Sequence, residues 1–65
     1  MKIYYVTKKK YDWIVRCDGE EFGLWDESDA AVELAQERAR ADIAAGGQAE
    51  VMLANTVGMW DRVEL

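Results

Sequence analysis

Asp26-Glu27-Ser28-Asp29-Ala30-Ala31-Val32-Glu33-Leu34-Ala35-Gln36-Glu37-Arg38-Ala39-Arg40-Ala41-Asp42-Ile43-Ala44-Ala45-Gly46-Gly47 is the stretch that decides the fold, because its apolar residues recur at helical spacing. At about 100° per residue, Ala31, Val32, Leu34, Ala35, Ala39 and Ile43 share one broad sector. Asp29, Glu33, Gln36, Glu37 and Arg40 occupy the opposite one. The spacing predicts a single amphipathic helix of about five turns. Asp26 is its expected N-cap, with Ser28 as the competing cap, and Glu27 and Asp29 suit the positive end of the helix dipole. Gly46-Gly47 is a C-terminal stop signal. Alanines on the buried side let the helix axis approach a sheet closely, so the aromatic residues of the strands are left to fill volume.

Strand patterns flank this helix on both sides. Ile3-Tyr4-Tyr5-Val6-Thr7 is aromatic and β-branched. Lys8-Lys9-Lys10 follows as a polar turn, and from Tyr11 to Cys17 the residues Trp13, Val15 and Cys17 alternate with Ile14 and Arg16. Asp18-Gly19 is a tight-hairpin signal. The run Glu20 to Trp25 reads as a third strand with Phe22 and Leu24 on one face, and Gly23 inside it marks a bulge or a close approach. Beyond the helix, Gln48 to Ala54 places Ala49, Val51 and Leu53 together. Asn55-Thr56-Val57-Gly58 is a turn, and Met59 to Leu65 is a last strand whose inward face is open between Trp60 and Val63. The order β-β-β-α-β-β predicts one α+β domain over residues 1–65, an antiparallel sheet of four to five strands with the helix packed on one face.

Composition narrows the chemistry. The chain has 65 residues, with 8 Lys and Arg against 13 Asp and Glu, one cysteine, no histidine and no proline. A hydrophobic content of 51% is that of a folded protein rather than a disordered one. A chain this short supplies only about 3–5 kcal/mol from its core, which leaves monomer and homodimer both open. No apolar run approaches the roughly 20 residues of a membrane helix, and the lysines after Val6 are unlike a signal peptide. With one cysteine there is no internal disulfide, so a cytoplasmic setting is expected. Lacking histidine, the chain has no ordinary zinc site, serine-type triad or imidazole acid–base group, and no metal or cofactor is expected. Asp18-Gly19-Glu20 lacks the further oxygen ligands of a calcium loop, and Gly46-Gly47 follows a helix instead of opening one. Cys17, beside Arg16, reads as a small apolar filler of a half-buried strand. No carboxylate pair stands out for acid–base work, and the reading is non-enzymatic.

Trp13-Ile14-Val15, then Asp26 opening an alanine-rich helix through Ala30, Ala31, Leu34 and Ala35, then Gly47, Glu50-Val51-Met52-Leu53, and Asn55 with Gly58 before Trp60 form a pattern. Over residues 11–62 it resembles domain-of-unknown-function family 2188, a family of short bacterial proteins. That resemblance implies one helix on an antiparallel sheet and implies no activity. The strand-strand-helix start, with Ala31-Val32-Glu33-Leu34-Ala35, is also similar to antitoxins of the HicB type.

Charge is unevenly spread. Residues 1–17 carry Lys2, Lys8, Lys9, Lys10 and Arg16 against Asp12. Residues 18–37 carry Asp18, Glu20, Glu21, Asp26, Glu27, Asp29, Glu33 and Glu37 with no base among them. Asp26, Asp29, Glu33 and Glu37 fall at spacings of three or four, one stripe with carboxylates roughly 4.5–6 Å apart along the axis. Glu20 and Glu21 extend that block if their strand lies beside the helix start. Such a face is either a solvated surface or a dock for a basic partner. The expected function is a small acidic protein-binding module, a nucleic-acid mimic similar in size and charge to phage and mobile-element inhibitors of host defence. Its partner would be a protein with a basic surface. The alternative is a housekeeping or structural domain, monomeric or homodimeric, whose acidic face only aids solubility. Lys8-Lys9-Lys10 with Tyr4, Tyr5, Tyr11 and Trp13 has the makeup of a basic patch with stacking platforms. Three lysines in a chain of net charge −5 do not favour phosphate, so direct nucleic-acid binding is not expected.

Overall fold

Alternating apolar residues build five strands, and the helical stretch returns the chain across them. The computed structural model describes residues 1–65, with β1 (Lys2–Lys9), β2 (Asp12–Cys17), β3 (Glu20–Trp25), α1 (Ser28–Ala44), β4 (Ala49–Ala54) and β5 (Trp60–Val63). The α+β architecture is the expected one, a five-stranded and mostly antiparallel sheet with α1 on one face. Its order is β3-β2-β1-β4-β5. One pairing is parallel: β4 runs beside β1 from Lys2↔Ala49 to Val6↔Leu53. A parallel neighbour requires a crossover, and α1 provides it by carrying the chain from β3 over the sheet to the far side of β1.

Local chemistry explains the junctions. Asp18 (φ 52°) and Gly19 (φ 81°) turn the β2–β3 hairpin, with both central residues in the left-handed region as a tight turn of this kind requires. The β1–β2 hairpin turns on Lys10 and Tyr11, so β1 runs on through Lys8 and Lys9, and Tyr11 is exposed turn rather than strand. α1 begins after Glu27, not Asp26 or Ser28, and no side chain caps it. Its C-terminus is closed by two bonds: Gly46 N–H donates to the Ile43 carbonyl and Gly47 N–H to the Asp42 carbonyl, at 3.0 and 2.9 Å. Asn55 organises the β4–β5 turn, its Oδ1 accepting from Val57 N–H and Met59 N–H at 3.1 and 3.0 Å.

Between Trp13 and Val15 the β2–β3 register shifts, so Phe22 lies across from Val15 and Trp25 across from Trp13. This bulge sits at Gly23, whose φ is +82° and whose position is so close to the Trp25 ring that an added Cβ would overlap it. Parity past the bulge is inverted. Phe22 and Trp25 therefore pack toward the helix, and Leu24, expected beside Phe22, is exposed on the other face.

The core lies between α1 and the sheet: Tyr4, Val6, Val15, Cys17, Ala49 and Val51 meet Ala31, Ala35 and Ala39. The three helix alanines are fully buried and spaced by four, a flush strip that lets the axis sit close to the strands. Val32 packs at the margin, whereas Ile43, expected on the buried sector, is exposed, and Gln36, expected on the polar one, is half-buried. Val63 faces the helix side and Trp60 the open face, where its ring meets Tyr5 edge-on at 5.0 Å. Ile14 is buried on that open face, in a recess shared with Lys9, Glu21 and Leu24.

The flush strip has a measurable consequence. Ala35→Leu lowers the unfolding free energy by about 1–3 kcal/mol through overpacking. Ala30→Leu, on the exposed side, changes it by less than about 0.5 kcal/mol. Urea unfolding followed by circular dichroism reads both.

Candidate functional site

α1 presents its carboxylates opposite the alanine strip. Glu33 and Glu37 project about 160° from Ala35 around the axis and Asp29 about 120°, and they span about 12 Å along it. All three are exposed, and none has a basic group within ion-pair distance. Asp26 is exposed in the bend that precedes the helix, and it too is unpaired. Asp26, Asp29, Glu33 and Glu37 are thus all on the solvent side, as the spacing predicts. Arg40, one turn past Glu37, ends the stripe with a positive charge.

Glu20 and Glu21 do not extend it. Glu20 lies at the end of β3 far from the helix start, in a recess with Lys2, Asp18 and Arg38. Glu21 has the opposite strand parity and faces the open side of the sheet, where it bridges Lys9 at 2.8 Å and Arg16. Hydrogen bonds from Lys9 and then Arg16 hold the Glu21 carboxyl below its usual range. The hairpin itself carries this signal: a two-residue Asp18-Gly19 turn sets Arg16 across from Glu21.

Two further carboxylates, Glu50 and Asp42, meet basic groups. Glu50 meets Arg62 at 3.0 Å on the open face. Asp42 lies 3.9 Å from the Lys2 ammonium and accepts from the Tyr4 hydroxyl, tying the last turns of α1 to β1. Burial, then that hydrogen bond, pushes the Tyr4 phenol up to about 12. Cys17 is buried in the core facing the helix, and burial pushes its thiol up, which disfavours the reactive thiolate. Arg38 does not reach the stripe; its guanidinium lies 4.6 Å from the Phe22 ring centre. Lys8 sits 6.0 Å over Trp13 instead of the hairpin tip.

No three His, Cys, Asp or Glu side chains are placed to hold a metal ion, and no helix is long and apolar enough to cross a membrane. The roomiest recess, about 620 Å³, lies at the ends of β1 and β4 and is floored by Trp13 and Leu53 with Lys8, Ser28, Asn55 and Thr56 around it. It gathers no carboxylate or thiol. What the arrangement offers chemically is a row of unpartnered negative charge on a rigid rod. No family model, curated protein or solved structure matches this chain.

Tyr4 gives the fold a pH signature. Its pKa is higher in the folded chain than the ordinary 10.0, so the folded state binds this proton more tightly. The stabilisation is complete below pH 10 and is lost as pH rises through about 12. Tyr4→Phe flattens the decline of unfolding free energy across that window, as measured by urea titrations at stepped pH.

Proposed function

We propose that this chain is a non-enzymatic protein-binding module whose acidic helix face occupies a basic site on a partner protein, one that otherwise receives nucleic acid. The observation that supports this reading is the unpaired state of Asp29, Glu33 and Glu37 in a chain with eight cationic side chains. Arg and Lys neutralise Asp42, Glu21 and Glu50, and leave the stripe bare.

Folding does not account for that pattern. The helix dipole favours acids only within the first turn, which covers Asp29 and not Glu33 or Glu37. Like charges at Asp29/Glu33 and Glu33/Glu37 cost the helix roughly 0.2–0.5 kcal/mol per pair. A lysine at Glu33 would relieve both pairs, and one at Glu37 the second. A bare acidic row instead steers encounter with a basic surface and orients docking. Asp26 lies at the head of this row; Glu20 and Glu21 are outside it. The setting we propose is the cytoplasm, on the strength of a single, buried cysteine. The resemblance to family 2188 adds no activity to this reading.

Affinity capture on the immobilised chain, in lysate of the native host at low salt, retrieves nucleic-acid-binding proteins that elute as salt approaches about 0.5 M, where exposed charges are screened. Glu33→Lys with Glu37→Lys abolishes the capture, and the wild-type chain displaces nucleic acid from the retained protein. Equal capture by the double variant rejects the acidic face as the binding surface.

A further inference from the structure

We propose that β5 is a self-recognition edge, through which two copies of this chain pair antiparallel about a two-fold axis at Val63. This inference is independent of the acidic helix, which points away from β5 and stays exposed in such a dimer.

The two edges of the sheet are built differently. β3 is interrupted by the Gly23 bulge and carries Glu20 and Glu21, devices that discourage strand addition. β5 has an unbroken register from Ala54↔Trp60 to Val51↔Val63, with no bulge or lysine, and its charged residues Asp61 and Arg62 are of opposite sign where the β3 pair is of one. α1 packs on β1, β4, β2 and β3, and it meets this edge only at Ile43 and through Gln36, whose Nε2 donates to the Glu64 carbonyl at 2.9 Å. Five of the eight exposed large apolar side chains gather here, Val57, Met59 and Trp60 in and after the turn and Ile43 and Leu65 beside the strand, whereas β3 carries only Leu24. Ile43, Val63 and Leu65 share a recess of about 460 Å³ that opens along this edge.

Charge complementarity selects the occupant and its register. In an antiparallel pair about a two-fold axis, directly opposed residues share a face, so one residue must lie opposite its own copy. Asp61, Arg62 or Glu64 on the axis sets like charges against each other. Trp60 on the axis opposes Asp61 to Met59 and Arg62 to Gly58, which matches no charge and runs the pairing into the Asn55–Gly58 turn. Val63 on the axis opposes Arg62 to Glu64 of the second copy, and Glu64 to its Arg62. The β4–β5 register, continued by one residue, places Glu64 across from Glu50. A second guanidinium arriving there answers the Glu64 carboxylate, which has no basic group within ion-pair distance in its own chain, beside Glu50, which holds Arg62. Val63 then meets Val63 on the helix side, and the Ile43–Leu65 recesses of the two copies flank the seam.

Sedimentation equilibrium of the full chain tests this directly. The 7.4 kDa chain is expected to show twice that mass, dissociating in roughly the micromolar range of small interfaces. Arg62→Glu alone and Glu64→Arg alone each weaken the dimer by at least about tenfold, since each variant sets two like-charge pairs across the seam. An equimolar mixture of the two variants regains the dimer. Only the Val63-centred register then opposes the introduced glutamate of one chain to the introduced arginine of the other, and the unaltered Glu64 of the first to the unaltered Arg62 of the second. Circular dichroism checks that both variants fold. Hydrogen exchange on the wild-type chain gives a second reading, with Asp61–Glu64 amide protection rising with concentration. A monomer up to about 1 mM, a dimer indifferent to both substitutions, or a mixture that fails to reassociate overturns the proposal, as does β5 protection that appears only with another protein. None of these results bears on capture by the acidic helix, so the two readings fail separately.

Discussion

Three alanines spaced by four determine how everything else is arranged. Ala31, Ala35 and Ala39 are fully buried against the sheet and bring the helix backbone as near to the strands as side chains allow. Little depth remains beneath them, so the only large side chains fully enclosed are Val6, Val15 and Val51. Trp13, Phe22 and Trp25 are displaced to the rim, where they cover the core without entering it. The same close seat sets the helix rotation. With one side committed to alanine, Asp29, Glu33 and Glu37 have no choice but to face water, and the helix touches the β5 edge only through Gln36 and Ile43.

The charges sort themselves around that frame. Cross-strand geometry brings Lys9 and Arg16 to Glu21 and Arg62 to Glu50 on the open face, and Lys2 and Tyr4 to Asp42 under the helix end. These pairs are exposed or half-exposed and each is worth little. Their interest lies in distribution: four of the eight basic groups are paired from the strands, and the outer side of the helix, with Arg40 against Asp29, Glu33 and Glu37, is left with a net negative row.

Much of this is legible in local sequence. Helical spacing delimits α1, Asp18-Gly19 places a hairpin, Gly46-Gly47 ends the helix, and Gly23 inside β3 announces a bulge. The misreadings have physical reasons. Leu24 changes faces because parity inverts past an inserted residue. The helix start slips by one because Glu27 takes the cap position with extended backbone and no side-chain bond, so no capping chemistry marks it. Glu21 leaves the acidic block because neighbours in sequence on a strand point to opposite faces, and Glu20 because it opens β3 at the end far from the helix start. The parallel partnership of β1 and β4 joins residues nearly fifty positions apart, and nothing local encodes it.

That partnership also governs the order in which the molecule can be completed. β1 is the central strand, yet only one of its two neighbours is made early in synthesis. The β1–β2–β3 meander can close as soon as it leaves the ribosome, with the apolar side chains of Tyr4, Val6 and Val15 still bare on one surface. Only when α1 and then residues 49–53 have emerged is that surface roofed and the second edge of β1 occupied. Until then the apolar side of the meander has no cover, an exposure written into the connectivity rather than into any one side chain.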